Sequence, residues 1–275
     1  MDQMFPSRYA DAGGIRTHYL EAGSGEPVVL IHGGGAGADA HGNWRTVMPM
    51  LAEHFRVVAL DMVGFGRTDK PAGNGFVYSQ DARNRHLADF LDALKLGPAT
   101  LIGNSMGGAT AIGVAIARPD LVRRLVLMGS AGLNTKLHAD LMPVINYDFT
   151  REGMVRLIRA LVNDNFVIDD ALVSYRYALA TDPDTRRAYT AMMGWIREQG
   201  GLAYDADTLR RVKVPTLVVN GKMDKVVPLE NAYTFLSLID RSWGYIIPDC
   251  GHWAMIEHPR DFASAALNFI RAEAR

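Results

Sequence analysis

The chain has 275 residues, 48% of them apolar and 21% charged, with a formal net charge of −1. This ordinary globular balance suits one α/β domain carrying an insertion; it lacks the basic surplus of a nucleic-acid binder, the polybasic block of a membrane-surface protein and the run of about 18 apolar residues that spans a bilayer. A single cysteine, Cys250, rules out an internal disulfide or a cysteine-based metal site within one chain.

The opening MDQMFPSRYADAGG has no basic stretch leading into an apolar one, so no signal peptide is expected and a cytoplasmic location is the default. SRYADA and IRTHYLEA flank Gly13-Gly14 and read as a β-hairpin. VVLIH (28–32) and RVVALD (56–61) are continuous apolar runs, each ending in a glycine-containing loop. Residues 80–96 place Leu87, Phe90, Leu91 and Leu94 at helical spacing. ATLIGN (99–104) reads as a strand, MGGATAIGVAIA as a helix, and RLVLMG (124–129) as a strand again. Later come PTLVVNG (215–221), a helix near 230–239, WGYIIPD (243–249) and an amphipathic helix from about Asp261 to Arg271. Buried Val/Ile/Leu runs alternating with helices predict an α/β fold, a mostly parallel, doubly wound sheet covered on both faces.

Residues 134–205 break that rhythm, being rich in Tyr, Met, Arg and Asp at helical spacing without an apolar strand run. They are expected to form a helical lid, with 1–133 and 206–275 making the core. In open α/β sheets ligands bind at the carboxyl ends of strands, where such an insertion would leave.

Gly103-Asn104-Ser105-Met106-Gly107 fits G-x-S-x-G in the strand–turn–helix setting that the motif requires. The turn lifts the serine hydroxyl clear of its strand, and glycines two residues to either side remove backbone collisions. The following helix points its N-terminal amides at the same spot, which makes the Met106 amide an oxyanion donor. A lone serine needs a base. In the order Ser, acid, His, the acid is Asp224 in NGKMDKVVP and the base His252 in DCGHWAM, both after predicted strands; His258 in EHP is expected to cap or pack. The second oxyanion amide is expected from the loop His32-Gly33-Gly34-Gly35, with Gly34 first and Gly35 as the neighbouring choice. That loop also matches a dinucleotide fingerprint, Gly33-x-Gly35-x-x-Ala38 with Asp61 after the next run, but the match leaves Ser105, Asp224 and His252 unused.

Together, LIHGGGAG…NWRTVMP, LDMVGFGRTDKP, GNSMGGAT, LMGSAGL, GKMDKVVPL and CGHWAMIEHP resemble the meta-cleavage product hydrolases, α/β-hydrolases that cut carbon–carbon bonds in ring-fission products of aromatic compounds. INYDFTREGMV, IREQGGL and RSWGYIIP are most similar to the carbazole-degradation branch. The resemblance covers nearly the whole chain. It implies the α/β-hydrolase fold with an inserted helical lid, and Ser105, Asp224 and His252 as triad with Gly34 and Met106 as oxyanion amides. It further implies Asn43, Asn104, Arg176 and Trp253 as dienoate-binding residues, no metal or organic cofactor, and a homodimer acting on a small aromatic ring-fission substrate such as 2-hydroxy-6-oxo-6-(2-aminophenyl)hexa-2,4-dienoate. A guanidinium fork at Arg176 suits a substrate bearing a carboxylate and a 2-oxygen. Asn43 has an alternative role as helix N-cap before WRTVMPMLA, and Trp253 as packing. Leu157, Leu161 and Phe166 of the insertion are candidates for lining an aryl pocket. A carboxylesterase or a non-catalytic ligand binder would share the same frame. Haloalkane dehalogenases and epoxide hydrolases need a carboxylate where Ser105 stands.

Overall fold

The computed structural model describes residues 5–73, 75–133 and 135–272; Asn134 and the outermost residues of the predicted core boundaries lie outside this range. Eight strands make one sheet: β1 (Ser7–Ala12), β2 (Ile15–Ala22), β3 (Pro27–Ile31), β4 (Arg56–Leu60), β5 (Ala99–Asn104), β6 (Val122–Met128), β7 (Thr216–Gly221) and β8 (Ser242–Ile247). Their spatial order is β1-β2-β4-β3-β5-β6-β7-β8, antiparallel through β1, β2 and β4, then parallel to β8. Strands β5 and β7 are buried at every position, as their unbroken apolar runs predict.

The helices are α1 (Ala40–Trp44), α2 (Met48–Ala52), α3 (Gln80–Ala93), α4 (Met106–Ala117), α5 (Met142–Ile145), α6 (Arg151–Leu161), α7 (Asp170–Ala180), α8 (Pro183–Gln199), α9 (Ala206–Leu209), α10 (Leu229–Leu238), α11 (Ala254–Glu257) and α12 (Pro259–Arg271). Among the described residues, none is long and apolar enough to cross a membrane. Helix α4 is buried on all sides but its last turn, so its small residues let it pack directly on the sheet and on α3.

Helices α5 to α8 lie between β6 and β7 within the insertion, and α9 follows it on the way to β7. The two ends of this insertion meet: Tyr204 donates its backbone N–H to Gly132 O at 2.8 Å, and Gly132 donates to Leu202 O at 3.2 Å. The parallel register pairs Ile31 with Gly103, Asn104 with Met128, and Gly221 with Ile247. The loops after β3, β5, β6, β7 and β8 therefore open at one edge of the sheet, beneath the insertion.

Candidate active site

Ser105 joins β5 to α4 with φ 54° and ψ −120°, a strained conformation for a non-glycine residue. Two glycines make the turn possible. A Cβ on Gly107 would lie 2.4 Å from Ile31 O, and one on Gly103 would lie 2.5 Å from Gly107 O. Met106 is the first residue of α4, where an amide has no partner within the helix and the positive end of the helix dipole lies. Gly34 lies against it: a Cβ there would sit 2.9 Å from Met106 Sδ. Gly34 thus packs on the Met106 side chain, next to Ser105 in sequence and in the wall of the same cavity.

Asp224 follows β7 and His252 follows β8, which pair in parallel. His252 Nδ1 lies 2.7 Å from Asp224 Oδ2, both side chains essentially buried. Asp224 Oδ1 accepts the Val226 and Val227 amides at 2.9 and 2.8 Å. The carboxylate is thereby fixed, Nδ1 carries the proton it donates, and Nε2 is left as the basic nitrogen.

Ser105 and His252 line one cavity. Its other polar lining side chains are Asn43, Asn104 and Arg176, with the Trp253 indole beside them; most of the remaining wall is apolar and comes from the insertion, Leu137, Val144, Leu161, Met193 and Ile196 among it. Arg176, on α7, is 1% exposed. Its NH2 donates to Ala36 O at 2.8 Å, its guanidinium carbon lies 4.6 Å from the Trp253 ring centroid, and its Nε has no hydrogen-bond partner among the described residues. Burial pulls its pKa down to about 10, so it remains a cation at neutral pH. No carboxylate forms an ion pair with it among the described residues. A buried cation left that way is costly unless an anion visits. Asn43 Oδ1 and Asn104 Oδ1 are likewise buried without partners.

Some sequence expectations change here. Asn43 does not cap a helix; it lies inside α1, whose N-cap is Asp39, accepting the Gly42 amide at 2.7 Å. Asp39 also accepts the Tyr175 hydroxyl at 2.6 Å, joining α7 to the core, and burial followed by repulsion from Asp61 raises its carboxyl to about 6. Leu157 and Phe166 do not line the cavity: Leu157 is wholly buried in the core, and Phe166 packs against that core from outside. Leu161, Gly35 and Trp253 do line it. His258 sits at the start of α12, away from the cavity. Asp61 is buried with both carboxylate oxygens taken, accepting the Ala40 and Arg67 amides and facing His18. Gly129, just past β6 at φ 48°, was not singled out by the sequence reading: a Cβ there would stand 2.9 Å from His252 Nδ1.

Two buried histidines hold the neighbouring loops as neutral rings. His32 Nε2 accepts the Met62 amide at 3.0 Å and its Nδ1 donates to Gly33 O. His86 Nδ1 accepts the Val63 amide, leaving Nε2 to donate to Thr17 Oγ1 at 2.8 Å. Burial lowers both, His86 to about 4. A lowered pKa means stability that is present above the unfolded value near 6.5 and lost as pH falls through 4, about 3 kcal/mol for His86. Asp39, raised, works with the opposite sign between 3.8 and about 6, so the wild-type slope is a difference. Urea unfolding of His86→Gln between pH 4 and 7 is expected to show a shallower acid loss than wild type; equal slopes would refute the assignment.

The strained seryl turn after β5, the histidine–carboxylate pair after β7 and β8 and the glycine loop after β3 define a class. A family model described as the alpha/beta hydrolase fold matches residues 26–259, and the chain belongs to the α/β-hydrolase family. Within that family the likeness narrows. The 2-hydroxy-6-oxo-6-(2'-aminophenyl)hexa-2,4-dienoic acid hydrolase of Metapseudomonas resinovorans is 61% identical over 274 residues, 99% of this chain and 93% of its own. A solved serine hydrolase involved in carbazole degradation is 60% identical, with a TM-score of 0.89 over 97% of this chain and 98% of that one. A meta-cleavage product hydrolase from Pseudomonas fluorescens IP01, solved with acetates, is 34% identical, with a TM-score of 0.90 over 96% and 97%.

Proposed function

We propose that the protein is a serine-dependent meta-cleavage product hydrolase. It cuts the C5–C6 bond of a 2-hydroxy-6-oxo-6-arylhexa-2,4-dienoate, giving 2-hydroxypenta-2,4-dienoate and an aromatic acid, anthranilate for a 2-aminophenyl substrate. The observation that carries this reading is Arg176, a buried cation in no ion pair among the described residues, in the same cavity as Ser105 and His252. A simple esterase has no use for it; a dienoate carboxylate with its 2-oxygen does.

Carbon leaves badly unless its charge can spread. Proton transfer through His252 converts the dienol to its keto tautomer, whose carbonyl then accepts the electrons of the breaking bond. Arg176, Asn43 and Asn104 hold the carboxylate end. Ser105 gives its proton to His252 Nε2 and attacks the C6 ketone; the Gly34 and Met106 amides hold the oxyanion, each such donor being worth about 10²–10³ in rate. Asp224 steadies the imidazolium. Collapse sends the electron pair of the C5–C6 bond to the 2-oxygen, which is protonated at the expense of the His252 imidazolium to give the 2-hydroxydienoate, and leaves an aroyl ester on Ser105, which water removes with His252 as base. The inserted helices α5 to α8 act as a lid that keeps other water out and lends the aryl group its apolar wall. The family likeness also supports a cytoplasmic homodimer, which light scattering would read as twice the 30.2 kDa chain.

The test is a panel of ring-fission products with 2-aminophenyl, 2-hydroxyphenyl, phenyl and methyl groups, followed by loss of the dienolate colour. Apolar walls discriminate weakly, so the phenyl and 2-aminophenyl compounds are expected within about 100-fold of each other in kcat/KM, and p-nitrophenyl esters well below both. An ester outpacing every dienoate would make the protein a carboxylesterase. Tight binding with no turnover of anything would make it a receptor.

A further inference from the structure

The loop carrying His252 is held by a carboxylate that the reaction itself does not use. Glu257, at the end of α11, turns back on that loop: Oε1 accepts the Trp253 amide at 3.1 Å and Oε2 accepts the Gly251 amide at 3.1 Å. Oε2 also accepts the amide of Asn163, just past the end of α6 in the insertion, at 2.7 Å. Between those two held amides, His252 donates its own to Leu161 O at 2.9 Å. Three successive amides, 251 to 253, are thus each tied, and two separate segments of chain share one carboxylate.

The contact is close. A Cβ on Gly251 would lie 2.6 Å from Asn163 N and 2.7 Å from Val162 C, so the histidine loop and the end of α6 touch backbone to backbone. Glu257 is half-buried and does not line the cavity, whereas His252, Trp253 and Leu161, which flank its contacts, all do. Hydrogen bonds to an ionised acceptor are about twice as strong as neutral ones, and no cation forms an ion pair with Glu257 among the described residues, so its charge is spent on these amides.

We propose that Glu257 is the positioning residue for His252, fixing the imidazole by fastening its loop to the C-terminal end of α6. This rests on His252 being the base assigned above. His252 is held from one side by Asp224 through Nδ1; Glu257 and Leu161 hold it from the backbone, and the two grips together define where Nε2 points. A displacement of about 1 Å at such a group costs of order 10²-fold in rate.

Glu257→Gln keeps the shape and one carbonyl oxygen, but turns an NH2 toward an amide it must repel. Glu257→Ala releases all three. Activity runs through His252 whatever the acyl group, so three readouts apply to the full-length protein well below its melting temperature: dienoate turnover, p-nitrophenyl acetate turnover, and the rate at which a fluorophosphonate labels Ser105. The expected result is a fall in kcat and labelling rate of about 10-fold for Gln and about 100-fold for Ala, equal on both substrates, with KM within about threefold and far-UV circular dichroism unchanged. Folded Glu257→Gln and Glu257→Ala proteins with wild-type labelling and kcat would overturn the proposal; so would a loss seen wholly in KM. Should the alanine variant fail to fold, the glutamine variant decides alone. Because the ester and phosphonate arms do not need a dienoate substrate, they judge Glu257 even if that substrate class is wrong. A wild-type protein that neither labels nor turns over an ester overturns the serine reading and this inference with it.

Discussion

Ser105→Ala is expected to lower dienoate turnover by about 10⁴–10⁶-fold while leaving substrate binding close to wild type. The large factor follows because serine, histidine and carboxylate act as a unit, so removing the nucleophile forfeits most of what all three provide. Binding survives because Arg176, Asn43, Asn104 and Trp253 belong to other segments of the cavity wall. Folding should survive too: alanine meets the same left-handed strain at φ 54° that serine already bears. Stopped-flow absorbance reads both halves of the claim. The dienolate band should change on mixing, as His252 still moves the tautomerising proton, while quenched samples contain no aromatic acid. Release of that acid at the wild-type rate would remove Ser105 from the mechanism and leave water as the direct nucleophile.

What the sequence disclosed and what it hid divide along a physical line. Strands β3 to β7 and the seryl turn were legible because their causes are local: an apolar run buried on both faces, and glycines where a Cβ would strike backbone 2.4–2.5 Å away. Asp224 and His252 were legible only through chain order and strand ends, since nothing near either residue names its partner. The insertion was opaque at the level of side chains. Leu157 and Leu161 lie on one helix four residues apart, yet only Leu161 reaches the cavity, because a helical stripe does not say which neighbour it faces. Asn43 offered two roles, and Asp39, four residues earlier, decided between them by taking the cap. Glu257 left no trace at all: a carboxylate that accepts a backbone amide 94 residues away has no pairing residue to find.

Arg176 separates the reading of this site as a dienoate hydrolase from every other serine hydrolase reading of it. Replacing it with methionine keeps the bulk of the side chain on the Trp253 ring and removes the charge. Dienoate kcat/KM is expected to fall by about 10²–10³-fold, the range for losing one partner of a buried charged pair, while kcat/KM for p-nitrophenyl acetate should stay within about threefold. Lysine should rescue little, since an ammonium cannot offer a carboxylate and an adjacent oxygen two parallel N–H groups, nor reach Ala36 O in the same pose. Two costs run against a clean result. The Gly35 and Ala36 carbonyls lose a donor, and a buried cation that Asp39 helps to hold disappears. Both act on stability and fall alike on every substrate, which is why the ratio of the two rates is the measurement that matters. If dienoate and ester lose activity by the same factor, Arg176 is a buttress between α7 and the glycine loop, and the carboxylate of the substrate must be held elsewhere.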